Sequence, residues 1–143
     1  MFDERVEKIK NTLLMLAPDI FGKHPVMFAY LYGSYVTGLV HPFSDLDIGV
    51  YVEKISRRQY LKLELSLALE IDEKLGSGVA SEVRIMNVLP LVVTGKIITD
   101  GILIFSGNET ARVDFETSVR SAYFDFLPVI REYQNTYIGD IVS

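Results

Sequence analysis

Apolar positions along the chain change their period several times, and each change predicts a new element. Between residues 3 and 16 they recur every three or four positions, which predicts an amphipathic helix that ends before Pro18. Two continuous apolar runs, 26–32 and 46–52, have the length and the β-branched or aromatic content of buried strands. Between them, the segment YVTG at residues 35–38 is expected to begin a short helix before a loop.

Residues 57–75 carry two conflicting signals. Large aliphatic residues occupy alternate positions, a period of two that favours a strand. The segment is nevertheless long and filled with Leu, Glu, Lys and Ala, and Lys74 followed by Gly76 is typical of a helix end. We therefore predict a helix with leucines around most of its circumference, which is either buried on several sides or in contact with a partner. The alternating residues are Leu61, Leu63, Leu65, Leu67, Leu69 and Ile71.

The last third of the chain predicts two strands and two helices. Residues 81–87 alternate polar and apolar side chains as a strand with one polar face does, and a short helix is expected at 90–99. A short strand follows at 102–105. From Glu109 onward, aromatic and aliphatic residues step by three and four to the end, which predicts a long amphipathic helix that Pro128 should kink. The stepping residues are Phe115, Val119, Tyr123, Phe126, Ile130, Tyr133 and Tyr137.

The composition fits a single domain over residues 1–143 with the order α-β-α-β-α-β-α-β-α, an α/β or α+β fold. Apolar residues make up 49% of the chain and aromatic residues 11%, enough for a substantial core. The chain has no cysteine, so disulfides, cysteine-bound zinc and a thiol nucleophile are excluded. Its two histidines, His24 and His41, are far apart in sequence, and we expect both to be loop or surface residues.

The charge and hydropathy of the chain bear on its binding partners and on its location in the cell. The net charge is −5, so a broad electrostatic grip on nucleic acid is not expected. The amino-terminal segment is charged from Asp3 onward, and no run of 18 apolar residues occurs that would span a membrane. Together with the lack of cysteine, these features lead us to expect a cytoplasmic protein.

Candidate chemistry is concentrated in the stretch YLYGSYVTGLVHPFSDLDIGVYV, residues 30–52. Gly33-Ser34 is followed after ten residues by Asp45-Leu46-Asp47. Residues i and i+2 of a strand share a face, so two carboxylates are expected side by side, where they repel unless a cation joins them. Mg²⁺ commonly takes one or two carboxylates together with substrate phosphates.

The Gly-Ser pair supplies the complementary half of such a site. Gly33 permits close approach of the backbone, Ser34 offers a hydroxyl and an N–H, and the start of a helix favours an anion. A phosphate cradle beside metal-binding carboxylates indicates nucleotide chemistry. The alternative is structural, because Asp-x-Asp is often a solvated strand edge and Gly-Ser is often only a turn.

The spacing Gly33-Ser34-x10-Asp45-x-Asp47 resembles the signature of the polymerase-β-like nucleotidyltransferase superfamily. Over nearly its whole length the chain is similar to the minimal nucleotidyltransferases (MNT), the antitoxins of HEPN/MNT toxin–antitoxin pairs. The similarity includes GSYVTG, SDLDIGVYV, SEVRIMN, LPLVVTGKIITDGILIF and the aromatic C-terminal helix. This resemblance implies a mixed sheet flanked by helices, with a long C-terminal helix.

The resemblance also implies a third carboxylate, for which Glu82 stands where the family more often has Asp. It implies ATP as substrate and a two-ion Mg²⁺ site, with ions roughly 3.5–4 Å apart held by Asp45, Asp47 and Glu82. Gly33 and Ser34 would then hold the β- and γ-phosphates. Family members transfer AMP to a tyrosine of the HEPN toxin, which implies a toxin partner and a hetero-oligomer with it.

Three alternatives to this enzyme stay open at the level of sequence. An antitoxin that acts by binding alone needs no metal carboxylates, so intact Ser34, Asp45 and Asp47 count against it. A small-molecule nucleotidyltransferase would need room for a further substrate domain, and a tRNA or poly(A) enzyme is disfavoured by size and acidity. The leucine-rich segment 57–75 and the aromatic C-terminal helix offer apolar surface for a protein partner.

Overall fold

The computed structural model describes the backbone of residues 2–142 and the side chains of residues 4–136. Its elements follow the predicted order α-β-α-β-α-β-α-β-α. No helix in the described part of the chain is long and apolar enough to cross a membrane. The elements are α1 (Phe2–Phe21), β1 (Val26–Tyr32), α2 (Ser34–Thr37), β2 (Leu46–Val52), α3 (Tyr60–Leu75), β3 (Ser81–Ile85), α4 (Leu91–Asp100), β4 (Ile102–Ser106) and α5 (Glu109–Val142), with 3-10 turns at Arg57–Gln59 and Met86–Val88.

The strands form one mixed sheet in the order β3-β2-β1-β4. Strands β2 and β3 are parallel, whereas β1 is antiparallel to both of its neighbours. Helices α1 and α3 cover one face, and α4 and α5 cover the other. The predicted fold class, a mixed sheet flanked by helices with a long C-terminal helix, is confirmed.

Helix α1 is longer than the sequence predicts, because it continues through Pro18 to Phe21. A proline inside a helix lacks the N–H that would bond the preceding turn. Here the last turn is held by burial instead, since Ala17, Ile20 and Phe21 are fully inaccessible to solvent. The carbonyl of Pro18 still accepts the N–H of Gly22 at 3.0 Å, which closes the helix.

Strand β2 is apolar on one face and functional on the other. Its residues Leu46, Ile48, Val50 and Val52 are buried against α1 and α3. Because side chains alternate along a strand, Asp47 lies on the opposite face, towards α4 and α5. The hydrophobic core thereby fixes where this carboxylate points.

The alternating leucines of α3 separate into two faces, and the helix prediction is confirmed. The set Leu63, Leu67 and Ile71 is buried against the sheet. The other set, Leu61, Leu65 and Leu69, is 65%, 56% and 69% exposed. Both sets repeat every four residues, so a period of two in the sequence becomes one buried and one exposed stripe on a helix.

Strand β3 ends two residues earlier than predicted, at Ile85. The Asn87 side chain accepts the Val52 N–H and donates to the Val52 carbonyl, both at 3.0 Å. These bonds place Asn87 in a 3-10 turn at the end of β2 and leave Met86 buried. The pairing of β3 with β2 therefore ends where the Asn87 amide, instead of a backbone group, bonds to the N–H and carbonyl of Val52.

Helix α5 packs on the domain only along its first half. Phe115 and Val119 join the core beneath α4, and the Tyr123 ring lies against Gly95, where a Cβ would overlap it. Beyond Tyr123, most side chains are exposed, although the helix is uninterrupted at Pro128, where the sequence predicts a kink. We call residues 124–136 the α5 arm. Its exposed apolar side chains are Phe124, Phe126, Val129 and Tyr133; Tyr137 lies outside the side chains that the structure describes.

A buried hydrogen bond ties α5 to the centre of the sheet. The Tyr30 hydroxyl donates to Glu116 Oε1 at 2.5 Å, and Arg112 Nη1 donates to Glu116 Oε2 at 2.8 Å. Tyr30 is 2% exposed, and its burial and the adjacent Glu116 carboxylate raise the pKa of its hydroxyl, which therefore stays protonated and donating.

Tyr30→Phe should lower the free energy of unfolding by about 1–2 kcal/mol, because it leaves a partly buried carboxylate without one of its donors. Urea denaturation followed by circular dichroism measures this loss. The matched control is Tyr51→Phe, in the same aromatic cluster, where the ring stacks on Phe28 at 4.8 Å between centroids. Equal losses in the two variants would contradict a specific role for the Tyr30 hydroxyl.

Candidate active site

Strand register brings two predicted carboxylates into one row. Antiparallel pairing places Tyr32 opposite Asp47, and parallel pairing places Asp47 opposite Glu82. The three side chains therefore share the face of the sheet that carries α4 and α5. Asp45 is exposed and lies just before β2, rather than on the strand as the sequence argument assumed.

The charge of this cluster is only partly balanced. The pKa of Asp47 is raised, first by partial burial and then by the neighbouring carboxylates of Glu82 and Asp45, while Arg84 opposes the shift. Arg84 lies one row further along the same face of β3, opposite Gly49. Because Glu82 lies opposite Asp47 on β3 and Asp45 precedes Asp47 by two residues, the carboxylates form a region of negative potential suited to a cation.

Gly33, directly after β1, lies against the side chain of Asp47. Its backbone has φ 78° and ψ −152°, a conformation almost restricted to glycine. A Cβ built on Gly33 would overlap Asp47 Oδ2 and lie 3.1 Å from Asp47 Cγ. Both the backbone angle and the packing therefore require glycine here.

The single helical turn after Gly33 is closed by backbone hydrogen bonds. The Gly33 carbonyl accepts the N–H groups of Val36 and Thr37 at 3.0 and 3.1 Å. Ser34, the first residue of α2, is partly buried, and its carbonyl accepts the Gly38 N–H at 3.1 Å. The Gly-Ser pair predicted from the sequence thus forms a tight turn directly beside Asp47.

Two clefts border this region. One, of about 270 Å³, opens between α2 and α4. The other, of about 390 Å³, lies between α1 and the loop before β2. Gly33, which contacts Asp47, lines the first cleft, and Asp45 lines the second. The first cleft is lined by Tyr32, Gly33, Val36, Thr37, Val92, Val93, Lys96, Ile97 and Asp100.

The histidines take structural roles, in agreement with their prediction as loop or surface residues. His24 Nε2 lies 3.0 Å from Glu70 Oε2, on the opposite side of the sheet from Asp47. His41 Nδ1 accepts the N–H of Phe43 at 3.1 Å in the loop before β2. Neither contact involves Asp45 or Asp47.

Sequence reasoning selected neither Tyr32 nor Lys96. Tyr32 is partly buried beside Arg84, and burial raises the pKa of its hydroxyl while Arg84 opposes the rise. Its place opposite Asp47 follows from the register of β1 and β2, which the sequence does not show. The sequence could not place Lys96 at the cleft between α2 and α4, because it does not show that α4 lies beside α2.

The donor set fits a hard divalent cation that is completed by a substrate. Within the described side chains, no three His, Cys, Asp or Glu residues are gathered closely enough to enclose a metal ion. Mg²⁺ does not require this, since it binds through one or two carboxylates plus substrate phosphates and water. Asp45 and Asp47 therefore fit an ion that is held jointly with a nucleotide.

A mixed sheet in which a Gly-Ser turn lies beside an Asp-x-Asp pair is typical of nucleotidyltransferase domains. The sequence model of the family "Polymerase beta, Nucleotidyltransferase" matches residues 17–110, about two thirds of the chain. The chain belongs to this family. The match includes the Gly-Ser turn, both aspartates and Glu82, and it ends where α5 begins.

Several solved structures of toxin–antitoxin proteins have a similar fold. A toxin–antitoxin structure with AMP-PNP has 18% identity and a TM-score of 0.59, covering 93% of this chain and 98% of that chain. A tri-AMPylated HEPN toxin in complex with MNT antitoxin, from Shewanella oneidensis, has 17% identity and a TM-score of 0.56, with 96% and 99% covered. The toxin–antitoxin MntA–HepT has 16% identity and a TM-score of 0.57, with the same coverage. No curated protein sequence matches the chain significantly. The resemblance to the polymerase-β-like nucleotidyltransferases is thereby confirmed, and the solved structures show that the chain shares the fold of MNT antitoxins.

Proposed function

We propose that this chain is a Mg²⁺-dependent adenylyltransferase that moves AMP from ATP to a tyrosine of a cognate HEPN toxin in the cytoplasm and so acts as its antitoxin. The observation that carries the proposal is the contact between Gly33 and Asp47, with Glu82 beside Asp47 on the neighbouring strand. A structural turn has no need for neighbouring like charges, whereas a nucleotide site that binds a cation does. The fold shared with MNT antitoxins supports the choice of acceptor.

In this proposal the nucleotide occupies the cleft between α2 and α4. Val36, Val92 and Val93 offer apolar walls for the base, and Lys96 supplies a cation at the same cleft. Gly33 lets the phosphates approach the backbone, and Ser34 provides a hydroxyl and an N–H to them. Pockets of this kind combine a largely apolar lining with a few placed polar groups.

Asp45 and Asp47 would hold the metal, with Glu82 as a third ligand or as the base. When bound, Mg²⁺ supplies charge neutralisation at the phosphates and lowers the pKa of a coordinated hydroxyl. The tyrosine oxygen bonds to the α-phosphorus while the bond from that phosphorus to pyrophosphate breaks. The hydroxyl proton leaves to a carboxylate, for which Glu82 is exposed and adjacent. Catalysis is then mainly positioning and charge neutralisation.

The acceptor would be a protein docked on the α5 arm, with its tyrosine reaching the carboxylates from the Asp45 side. The arm exposes Phe126, Val129 and Tyr133 at helical spacing, which is a protein-binding pattern. The Asp45 cleft is lined by Arg5 and by loop residues, and it lies across the cluster from the Gly33 cleft. Two separate spaces suit a reaction with two large substrates.

The experiment that tests this proposal is the intact mass of the toxin encoded beside this chain, after co-expression with the wild type or with Asp47→Asn. We expect the toxin to gain whole AMP units on tyrosine with the wild type and none with the variant. A toxin that is unmodified but neutralised in both cases would instead establish an antitoxin that acts by binding alone. Modification of a small molecule and not of the toxin would also overturn the proposal.

A further inference from the structure

The loop before β2 presents a phenylalanine to solvent two residues before Asp45. Phe43 is 89% exposed, the highest value among the large apolar side chains that the structure describes. A single exposed apolar residue is ordinary on a protein surface. Phe43 differs because it lines the Asp45 cleft, the space of about 390 Å³ beside the carboxylates.

Hydrogen bonds inside the loop hold Phe43 in this position. The His41 N–H donates to Ser44 Oγ at 2.9 Å, and the Ser44 N–H donates back to the His41 carbonyl at 2.9 Å. His41 Nδ1 accepts the Phe43 N–H at 3.1 Å, and Pro42 restricts the backbone between them. The loop therefore fixes its backbone without burying its largest apolar side chain.

The rings of His41 and Phe43 form an aromatic wall of the Asp45 cleft. Their centroids are 6.5 Å apart, and their planes are inclined by 56°. Tyr35 is 4% exposed and lines the same cleft, so a third ring contributes to its lining. Aromatic rings attract one another in offset or edge-on arrangements. The cleft is therefore suited to a ligand that carries an aromatic ring.

The proposed reaction needs two reactants to reach the carboxylates from different sides. The Gly33 cleft contains the Gly-Ser turn, the element suited to phosphates. The acceptor hydroxyl has to approach from a second direction, because the attacking and leaving oxygens stand in line across the phosphorus. The Asp45 cleft provides such an approach, and its aromatic lining matches the side chain of tyrosine better than that of serine or threonine.

We infer that Phe43 is the acceptor-recognition residue of this site, against which the ring of the toxin's tyrosine packs so that its hydroxyl reaches Asp45 and Asp47. The inference rests on the proposed function and adds the residue that orients the acceptor. Because the α5 arm holds the toxin as a whole, Phe43 acts after docking. Its loss should lower the fraction of docked tyrosines in the reactive position, and with it the transfer rate, rather than the affinity for the toxin.

Transfer kinetics of Phe43→Ala and Leu39→Ala test this role. Leu39 is the matched control, because it belongs to the same loop and is 76% exposed but is not among the residues that line the Asp45 cleft. With MgATP and saturating toxin, Phe43→Ala should lower the single-turnover rate about 10-fold, whereas Leu39→Ala should react as the wild type does. Toxin affinity without ATP, and the rise in melting temperature with MgATP, should be the same in all three proteins. Phe43→Trp should recover most of the rate and Phe43→Leu should not, because the contact requires a flat ring.

Photocrosslinking identifies what covers Phe43 without depending on catalysis. The full chain with p-benzoylphenylalanine in place of Phe43 is mixed with unmodified toxin, without ATP, and irradiated. Mass spectrometry of the digested product should locate the crosslink in the toxin segment that carries the acceptor tyrosine. The same photoreactive residue in place of Leu39 should not crosslink to that segment.

Equal transfer rates for the wild type and Phe43→Ala overturn the inference and leave the proposed function intact. Loss of MgATP stabilisation in Phe43→Ala would assign the aromatic wall to the nucleotide and also overturns it, as does a crosslink to a toxin segment remote from the tyrosine. A wild type that leaves the toxin unmodified refutes the proposed function itself, and the inference with it. Circular dichroism of each variant verifies that the fold is retained, which is expected since the replaced side chains are exposed.

Discussion

Replacing Asp47 with asparagine should abolish adenylyl transfer while preserving the fold. The substitution keeps the shape of the side chain but removes a charge that would hold Mg²⁺, so we expect the rate to fall at least about 100-fold. MgATP should raise the melting temperature of the wild type through binding linkage and have little effect on the variant. Single-turnover transfer to purified toxin measures the first effect, and thermal unfolding with and without MgATP measures the second.

Although Asp47→Asn should lower the activity, it should preserve or raise the stability of the metal-free fold. The raised pKa of Asp47 means that the folded chain holds this proton more tightly than the unfolded chain. Folding stability due to Asp47 is therefore present at low pH and is lost as the pH rises through its folded pKa. Near neutral pH, Asp47→Asn should be at least as stable as the wild type, and the difference should vanish in acid. A variant that is clearly less stable at neutral pH, or that retains near-normal turnover, would refute this role for Asp47.

Gly33→Ala is expected to have the second largest effect, and it acts on the same carboxylate. The new methyl group would overlap Asp47 Oδ2 and would force alanine into a backbone conformation that only glycine adopts readily. We expect a loss of about 2 kcal/mol in the free energy of unfolding and a loss of most transfer activity. Chemical denaturation and the toxin-transfer assay measure the two effects.

Gly38→Ala is the matched control for this variant. Gly38 also has a positive φ, 83°, but a Cβ there would meet nothing within 4 Å. It should cost about 1 kcal/mol through backbone strain alone and leave transfer within a few-fold of the wild type. If both variants lost activity equally, strain in the turn rather than contact with Asp47 would explain the loss.

The sequence predicts most of this fold because its signals are local. The runs at 26–32 and 46–52 are strands with the predicted bounds, since continuous apolar segments of that length suit a covered sheet. The motif Gly33-Ser34-x10-Asp45-x-Asp47 identified the family by resemblance, because its residue types and spacing lie within one continuous stretch of the chain. The contact between Gly33 and Asp47 follows from the pairing of β1 with β2.

Features that depend on register and on packing could not be read from the sequence. Asp47 and Glu82 are 35 residues apart, and only the parallel pairing of β2 and β3 makes them neighbours. The period of two in α3 gives no information on which leucines face the sheet. The end of α1 was misplaced for a related reason: the full burial of Phe21 outweighs the helix-breaking tendency of Pro18, and burial is not visible in a pattern of residue types.

The α5 arm has a kinetic consequence. Its thirteen residues from 124 to 136 span about 20 Å of helix beyond the last buried turn, and α4 both packs against α5 and lines the Gly33 cleft. A protein held on the arm is tethered to the catalytic domain, at an effective concentration that can reach the millimolar range. Under the proposed function, the site then needs little affinity for the tyrosine itself, because binding to the arm already keeps the acceptor at a high local concentration. Any further transfer to the same tethered toxin would precede its escape if release is slower than transfer, so modification would be processive rather than spread over many molecules.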